Sequence, residues 1–447
     1  MLRFRFVVMG AVWITTFFLF LDRVNISLAA PHMMEEFGLR GIEMGLILSV
    51  YYWGYIVGHI GGGITADRYG VRKWASVVFG AWCVLTALTG TCRTLWQLGM
   101  VRGLFGVSEG AVANPLQKLE NQWVLPQERG WVYGVLITSG YLGLIVGMPL
   151  VGWLINVWGW RMMFYGTGAL TLLGVWLFWL LVYDHPREHP WVSEEEKCLI
   201  EETLAKDRVT FDPRQGAAQP LSFPEGVRML VRNWVFWGVC GLGFFVTGVF
   251  FANLSWLPGY LVKERGYTVM SSGLSLIIPY LTASCGALSG GYLGDRTGNR
   301  SAVSLCAGLL TGPAMVGLML SHEVTSTMLF MSAALFLNAA MANTLVILLF
   351  DLLPAEVLGM AMGIYIGCFG GLGGAVGPLI LGYSYDHTGS FFWGFSGLGM
   401  GVTLMSFILV PIIFHERRVK REKAENAVLW NLPSTERKLN TMREGTA

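Results

Sequence analysis

Four ionisable residues stand inside runs that are otherwise almost wholly apolar: Asp22 and Arg23 in the first run, Arg102 and Glu109 in the fourth. An ionised side chain in hydrocarbon is costly, so each marks a candidate site. Carboxylates can take up and release protons, and an arginine fork can hold both oxygens of a carboxylate. Arg102 and Glu109 are seven residues apart, which puts them on one helix face about 10 Å apart in depth. If the first run climbs from Val7 and the fourth descends from Leu95, Asp22 and Arg23 lie roughly 22–24 Å along the first, near the level of Arg102. This predicts a contact between Arg102 and Asp22, with Glu109 deeper. Two carboxylates and two guanidiniums at staggered depths suit a proton relay beside an anion site. The plainer alternative for Asp22 and Arg102 is an ion pair that only locks the fold. Lys118, nine residues beyond Glu109, either attracts an anion or snorkels to the headgroups.

Uncharged polar groups fall at similar depths. Tyr51 and Tyr55 share a helix face at i,i+4 spacing, beside Tyr52. Tyr141 and Asn338 lie near the middle of later runs and are candidate substrate contacts, with aromatic packing as the alternative. His59, one turn beyond Tyr55, reads equally as a buried hydrogen-bonded residue. Asn253 and Trp256 read as interfacial belt or gate.

The elements that must position these groups follow from composition. Hydrophobic residues are 54% of the 447-residue chain and charged residues 13%, about half the charge of a soluble protein. The charges gather in short segments between long uncharged runs, so lipid is the expected solvent. At about 20 residues per crossing, twelve spans fall near 7–30, 44–66, 74–92, 95–119, 130–155, 161–183, 234–258, 271–294, 301–320, 325–350, 356–383 and 391–414. Arg3 and Arg5 before an apolar run resemble a secretion signal. The run continues through Asp22 to near Ala30, and more such runs follow, so it reads as the first span. The seven cysteines form no C-x-x-C pair and read as small buried hydrophobes, with no metal, cofactor or disulfide framework.

The expected organisation is all-α: a six-helix bundle over 1–183, a cytoplasmic linker over 184–233, a second bundle over 234–414 and a cytoplasmic tail over 415–447. Ser193 and Glu196 suggest a capping box opening a short amphipathic helix in the linker, which Pro213 and Gly216 then loosen. With both termini inside, the outer loops hold only Arg40, Arg93, Arg161, Lys263 and Arg265, and most of the 31 Lys and Arg face the cytoplasm. The basic tail from Arg417 through Arg418, Lys420, Arg421 and Lys423 reads as a solvated inner-face segment, with no nucleic-acid role.

An internal repeat organises the two halves. Gly63-x-x-x-Asp67-Arg68-x-Gly70-x-Arg72 follows the second span, and Gly291-x-x-x-Asp295-Arg296-x-Gly298-x-Arg300 follows the eighth. The two aspartates are 228 positions apart, as are Glu128 and Glu356 in Pro-x-Glu pairs. A looser echo joins Gly147-x-Pro149-Leu150-x-Gly152 to Gly377-Pro378-Leu379-x-x-Gly382. Glycines permit tight turns and close helix approach. Each Asp and Arg can pair with each other or with a helix end and part when the halves move.

The repeated loop resembles the signature of the major facilitator superfamily over about residues 5–415. The resemblance implies alternating access without ATP hydrolysis, and no GxxxxGK[ST] phosphate loop is present. Asp22-Arg-x-Asn25-x-Ser27 and Arg102-x-x-x-Gly106-x-x-Glu109 resemble the anion:cation symporter family. Its members include bacterial sugar-acid and aromatic-acid importers, and it resembles sialin and the vesicular glutamate transporters. Further matches are Trp123, Glu128-Arg129-Gly130, Trp160-Arg161 and Trp256-Leu257-Pro258-x-Tyr260-Leu261. The resemblance implies Asp22 and Glu109 as the protonated pair, with Arg23, Arg102 and Tyr55 serving the substrate and a monomer as the working unit. Two departures stand out: Gly110-Ala111 follows Glu109, and the eleventh span reads Gly367-Cys368-Phe369-Gly370-Gly371 without an asparagine. The second removes a partner for substrate hydroxyls and leaves room for a more apolar acid.

The expectation is an inner-membrane, proton-coupled symporter of a small organic anion, such as a sugar acid. Exchange, efflux, aromatic-acid import and a non-transporting sensor are the alternatives. No nucleophile–base constellation points to an enzyme.

Overall fold

The computed structural model describes residues 3–210 and 223–431, so Pro213, Gly216 and the end of the tail lie outside the described residues, as do the side chains of Arg129, Glu356 and Lys423. The regular structure of the described residues is all helix, without a strand. The first half holds α1 (Phe4–Phe37), α2 (Gly41–Tyr69), α3 (Val71–Thr91), α4 (Leu95–Trp123) and α5 (Arg129–Leu181). Gly159, at φ 78° and ψ 163°, breaks α5 into two limbs, the fifth and sixth crossings. Two connecting helices follow, α6 (Glu194–Thr210) and α7 (Phe223–Arg232). The second half holds α8 (Trp234–Lys263), α9 (Val269–Ser275), α10 (Ile277–Thr297), α11 (Arg300–Leu320), α12 (Val324–Leu352), α13 (Ala355–Met362), a π-helical stretch Gly363–Gly370, α14 (Gly371–Thr388), α15 (Phe392–Ser406) and α16 (Leu409–Asn431).

Eight of the described helices are long and apolar enough to cross a membrane, or nine when α15 and α16, bent by 42°, count as one span. The second limb of α5, with α2 and α4, completes the twelve expected crossings. Both α2 and α4 fall short of that apolar test because their faces turn inward, with tyrosines and His59 on one and Arg102 and Glu109 on the other.

Glycine sets how these two helices meet. Cβ atoms at Gly54, Gly58 and Gly62 would collide with the α4 backbone at Gly103, Val107 and Ala111. Cβ atoms at Gly106 and Gly110 would collide with the Tyr51 and Tyr55 carbonyls. The helices therefore touch backbone to backbone, as small residues allow in lipid. On the other side of the half, α1 packs along α5, with Gly143 and Gly147 against Phe17, Phe20 and Leu21.

The face away from the N-terminus is closed by both copies of the glycine–proline echo. A Cβ at Gly45 of α2 would come 2.8 Å from the Pro378 carbonyl of α14, and one at Gly273 of α9 would come 2.6 Å from the Met148 carbonyl beside Pro149. Asp386 at the end of α14 completes the closure: its carboxylate accepts the Gly41 and Ile42 N–H groups of α2 at 2.6 and 2.7 Å. An anion at a helix N-terminus satisfies orphan donors and complements the dipole.

Several expectations are corrected. Glu196 does not close a capping box; its backbone N–H donates to Ser193 at 3.3 Å, but its carboxylate accepts the Phe4 and Arg5 N–H groups and pairs with the buried Arg5 guanidinium at 3.1 Å. Arg5 also holds Glu128 at 2.7 Å. The linker thus begins as a helix pinned to the first half, because a buried guanidinium needs anionic partners. The tail likewise begins docked, in α16. Glu416, fully buried, accepts the Arg300 and Ser301 N–H groups at 3.0 and 2.9 Å. Of the cysteines, Cys83, Cys92 and Cys240 are buried, whereas Cys198, Cys285 and Cys306 are exposed. Trp256 does not sit in an interfacial belt: it is buried and donates to the Pro378 carbonyl of the closed end at 3.0 Å, which leaves the gate reading.

Candidate functional site

A cavity of about 690 Å³ lies between the halves. α1, α2, α4 and α5 supply one wall, and α8, α12, α14 and the π-helical stretch supply the other. It runs from Arg23 and Tyr52 toward the N-terminal face, reaching Gln117 and Glu120 near the end of α4 and Tyr133 near the start of α5. With the opposite face closed at Asp386 and Pro378, this is a carrier cavity open at one end.

Arg23 lines the cavity and forms its charged centre. Its Nε donates to Glu109 Oε1 at 2.6 Å, and its Nη2 pairs with the same oxygen. The other oxygen, Oε2, is buried without a partner among the described residues. Oε2 can therefore accept a proton while Oε1 still faces the guanidinium. The guanidinium also lies over the rings of Phe20 at 4.6 Å, Phe251 at 5.7 Å and Tyr55 at 6.0 Å. Phe251 comes from the second half, so Arg23 touches both sides of the cleft.

Asp22 and Arg102 do not meet. Asp22 is buried and accepts from Asn25 Nδ2 at 2.9 Å and from Thr171 Oγ1 at 3.0 Å. The physical reason is rotation: neighbouring helix positions point about 100° apart, so Asp22 faces α5 while Arg23 faces the cleft. Arg102 is buried over the Tyr51 and Phe105 rings at 5.1 and 4.8 Å, and its Nε has no hydrogen-bond partner among the described residues. Neither Asp22, Arg102 nor Glu109 lines the cavity; all three lie behind its wall.

Tyr51, Tyr55, Tyr141 and Asn338 do line it. Asn338 Nδ2 donates to the Val246 carbonyl at 3.2 Å, and the Tyr51 hydroxyl is buried on the side of Glu109. Lys118 is outside the lining. It is half-exposed and pairs with Asp67, because the close α2–α4 contact brings the two helix ends together. His59 stacks on Tyr55 with ring centroids 5.8 Å apart.

The repeated loops are wired differently. Gly70 and Gly298 both take positive φ, 84° and 63°. Arg72 donates its backbone N–H to Asp184 at 2.7 Å and its side chain to the Trp179 carbonyl at 2.7 Å, while Asp67 goes to Lys118. In the second copy Arg300 pairs with Asp295 and with Asp351, both at 2.7 Å. Arg68 lies over the Tyr69 ring and Arg296 reaches the Tyr292 hydroxyl at 3.5 Å. The Gly63 and Gly291 positions begin each turn against Asn114 and Asn343. None of these partners comes from the opposite half, and all lie at the open face.

Sequence reasoning missed Gln117, Glu120 and Tyr133. Glu120 is eleven residues after Glu109, three helical turns on the same face, and that spacing was the available signal. It also missed Glu36 and Glu264, again 228 positions apart. Glu36 binds Trp160 and Arg161 where the second limb of α5 begins, and Glu264 accepts the Phe391 N–H at the start of α15.

Two repeated helical halves around one shared cleft define a secondary carrier. The sequence model of the Major Facilitator Superfamily matches residues 12–365 and again 276–441, and the chain belongs to that family. It is a multi-pass membrane transporter with bacterial relatives. It is 28% identical over 389 residues to the D-galactonate transporter of Escherichia coli, covering 85% of this chain and 89% of the relative. It is 26% identical to the "Probable galactarate/D-glucarate transporter GudP" of Bacillus subtilis, covering 94% and 96%. It is 29% identical to the "Probable sulfoacetate transporter SauU" of Cupriavidus necator, covering 92% and 95%. Among solved structures, an inward-facing, unoccupied bacterial homologue of the human lysosomal transporter Spinster superposes with a TM-score of 0.71 at 16% identity, covering 94% and 98%. The D-xylose-proton symporter gives 0.70 at 17% identity, covering 91% and 97%.

Proposed function

We propose that this chain carries a small organic anion together with protons across a bacterial inner membrane by alternating access, as a monomer with both termini cytoplasmic. The observation that carries the reading is the Arg23–Glu109 pair at the wall of a cleft between two halves. While Glu109 is ionised it occupies Arg23. Protonation of Glu109 removes that competitor, and the guanidinium becomes available to a substrate carboxylate or sulfonate. The relatives named as galactonate, galactarate/D-glucarate and sulfoacetate transporters all take anions, which supports the assignment. A negative interior opposes an incoming anion by about 2.3 kcal/mol per charge per 100 mV, and co-transported protons offset that cost. Asp22 is the second proton carrier in this scheme, held within the half by Asn25 and Thr171.

The positive-inside distribution supports a cytoplasmic open end. The repeated loops lie there, and we assign Gly63, Asp67, Arg68, Gly70, Arg72, Asp295, Arg296, Gly298 and Arg300 to the contact that forms when that end closes. Lys118, through Asp67, belongs to the same assembly. The reading is tested by uptake of labelled organic acids into proteoliposomes with and without an inward proton gradient. Gradient-driven accumulation that collapses with an uncoupler is expected. Uptake indifferent to the gradient would identify an exchanger or uniporter instead.

The closed end depends on Asp386. Asp386→Ala removes two charged hydrogen bonds between the halves, each worth about 1.5–3 kcal/mol. Spin labels at Arg40 and His387 should report the long-distance population rising roughly tenfold or more. An unchanged distance distribution would show that the glycine–proline contacts alone close this end.

A further inference from the structure

We infer that the transported anion is a monocarboxylate on a flat, ring-like body, and that dicarboxylates are excluded. The inference rests on the transport reading above and narrows it.

Charge is the first argument. Among the described residues lining the cavity, Arg23 is the one cation and Glu120 the one carboxylate. Arg102 and Lys118, the basic groups of α4, are outside its lining. With Glu109 protonated, the wall can neutralise a single negative charge. A second carboxylate on the substrate would meet rings or Glu120, and an unpaired anion in such surroundings is strongly disfavoured.

Shape and polarity are the second argument. The wall carries nine aromatic side chains, and most of its surface is carbon. Phe20, Tyr55 and Phe251 surround the guanidinium within 4.6–6.0 Å. A carboxylate held on Arg23 must therefore carry its body between rings, where a planar apolar body gains stacking and burial. A polyhydroxylated body needs a partner for every hydroxyl. Several polar side chains of this wall are already committed as donors: Thr16, Ser139 and Thr247 to carbonyls of their own helices, and Tyr133 to Asn121. Asn338 Nδ2 spends one of its two N–H groups on the Val246 carbonyl. Most of the other polar side chains on the wall are tyrosines, so a substrate hydroxyl is met at the edge of a ring.

The test uses the full-length chain, purified in detergent and reconstituted in proteoliposomes. The probes are benzoate, 4-hydroxybenzoate, D-galactonate and D-galactarate. Binding is read by ligand-induced thermal stabilisation and transport by gradient-driven uptake. The expected result is binding of 4-hydroxybenzoate at least tenfold tighter than either sugar acid, and several-fold tighter than benzoate. Equal or tighter binding of D-galactonate or D-galactarate overturns the inference, as does the absence of binding by both aromatic acids. If D-galactonate alone is accumulated by the gradient, the substrate class fails while proton-driven transport stands. If 4-hydroxybenzoate binds as expected but is not driven by the gradient, the class stands and the coupling reading fails. A gain-of-binding variant checks the charge argument separately. Glu120→Lys should raise D-galactarate affinity at least tenfold, and no gain in a variant of unchanged melting temperature would overturn that argument.

Discussion

Glu109→Gln protein should equilibrate its substrate across a membrane and fail to concentrate it. Glutamine is close to the protonated carboxyl in size and keeps an oxygen for the Arg23 fork, but it carries no charge to compete for the guanidinium. The variant is thus held permanently in the state that admits substrate. One pH unit of gradient is worth about 1.4 kcal/mol per coupled proton, so the parent should accumulate roughly tenfold per proton coupled and the variant about onefold. Counterflow, in which labelled substrate exchanges for unlabelled substrate without a gradient, should persist within about threefold. The absence of cargo exchange would assign Glu109 a structural role. Retained accumulation would move the coupling to Asp22.

The second large effect concerns Arg23. Removing it as Arg23→Ala should weaken substrate binding by about 100-fold or more, because no other cation lines the described cavity. It should also destabilise the fold. Glu109 is buried, its Oε2 has no partner, and its Oε1 would lose the only partners it has among the described residues. Breaking a buried pair from one side costs about 3–5 kcal/mol. The double variant Arg23→Ala/Glu109→Gln separates the two effects. Its melting temperature should recover most of the way to the parent, while binding stays lost. Equal losses of stability in the single and double variants would show that the pair is not coupled energetically. Arg23→Lys keeps the charge and loses the fork, so binding should fall by about 10–100-fold.

The sequence carried more of the fold than of the site. The runs of uncharged residues fixed the crossings, and Asp67 and Asp295, 228 positions apart, exposed the duplication before any coordinates. Asp22, Arg23, Arg102 and Glu109 were conspicuous because each interrupts an apolar run. Their partners were not legible. Depth along ideal helices brought Asp22 level with Arg102, but depth says nothing about rotation, and Arg23 meets Glu109 across 86 positions of sequence. Lys118 looked like an attractor for substrate because the meeting of α2 and α4 through their glycines was not visible from one helix at a time. The cavity wall was only half readable: Tyr51, Tyr55, Tyr141 and Asn338 were polar at the right depth, while Gln117 and Tyr133 lie where spans end and polarity carries little information.

The glycine contacts between α2 and α4 have a mechanical meaning. Backbones in contact cannot slide without collision, so these two helices form one stiff plate that carries the tyrosines, Glu109 and Arg102 together. α1 and α5 form a second plate, which carries Arg23 and, through Thr171 and Asn25, encloses Asp22. Since α1 meets α2 and α4 only sparsely, the Arg23–Glu109 pair is a rivet between plates inside a single half. In the proposed cycle a proton on Glu109 would loosen that rivet, which would put the first movement within the N-terminal bundle, ahead of any rocking of one half against the other.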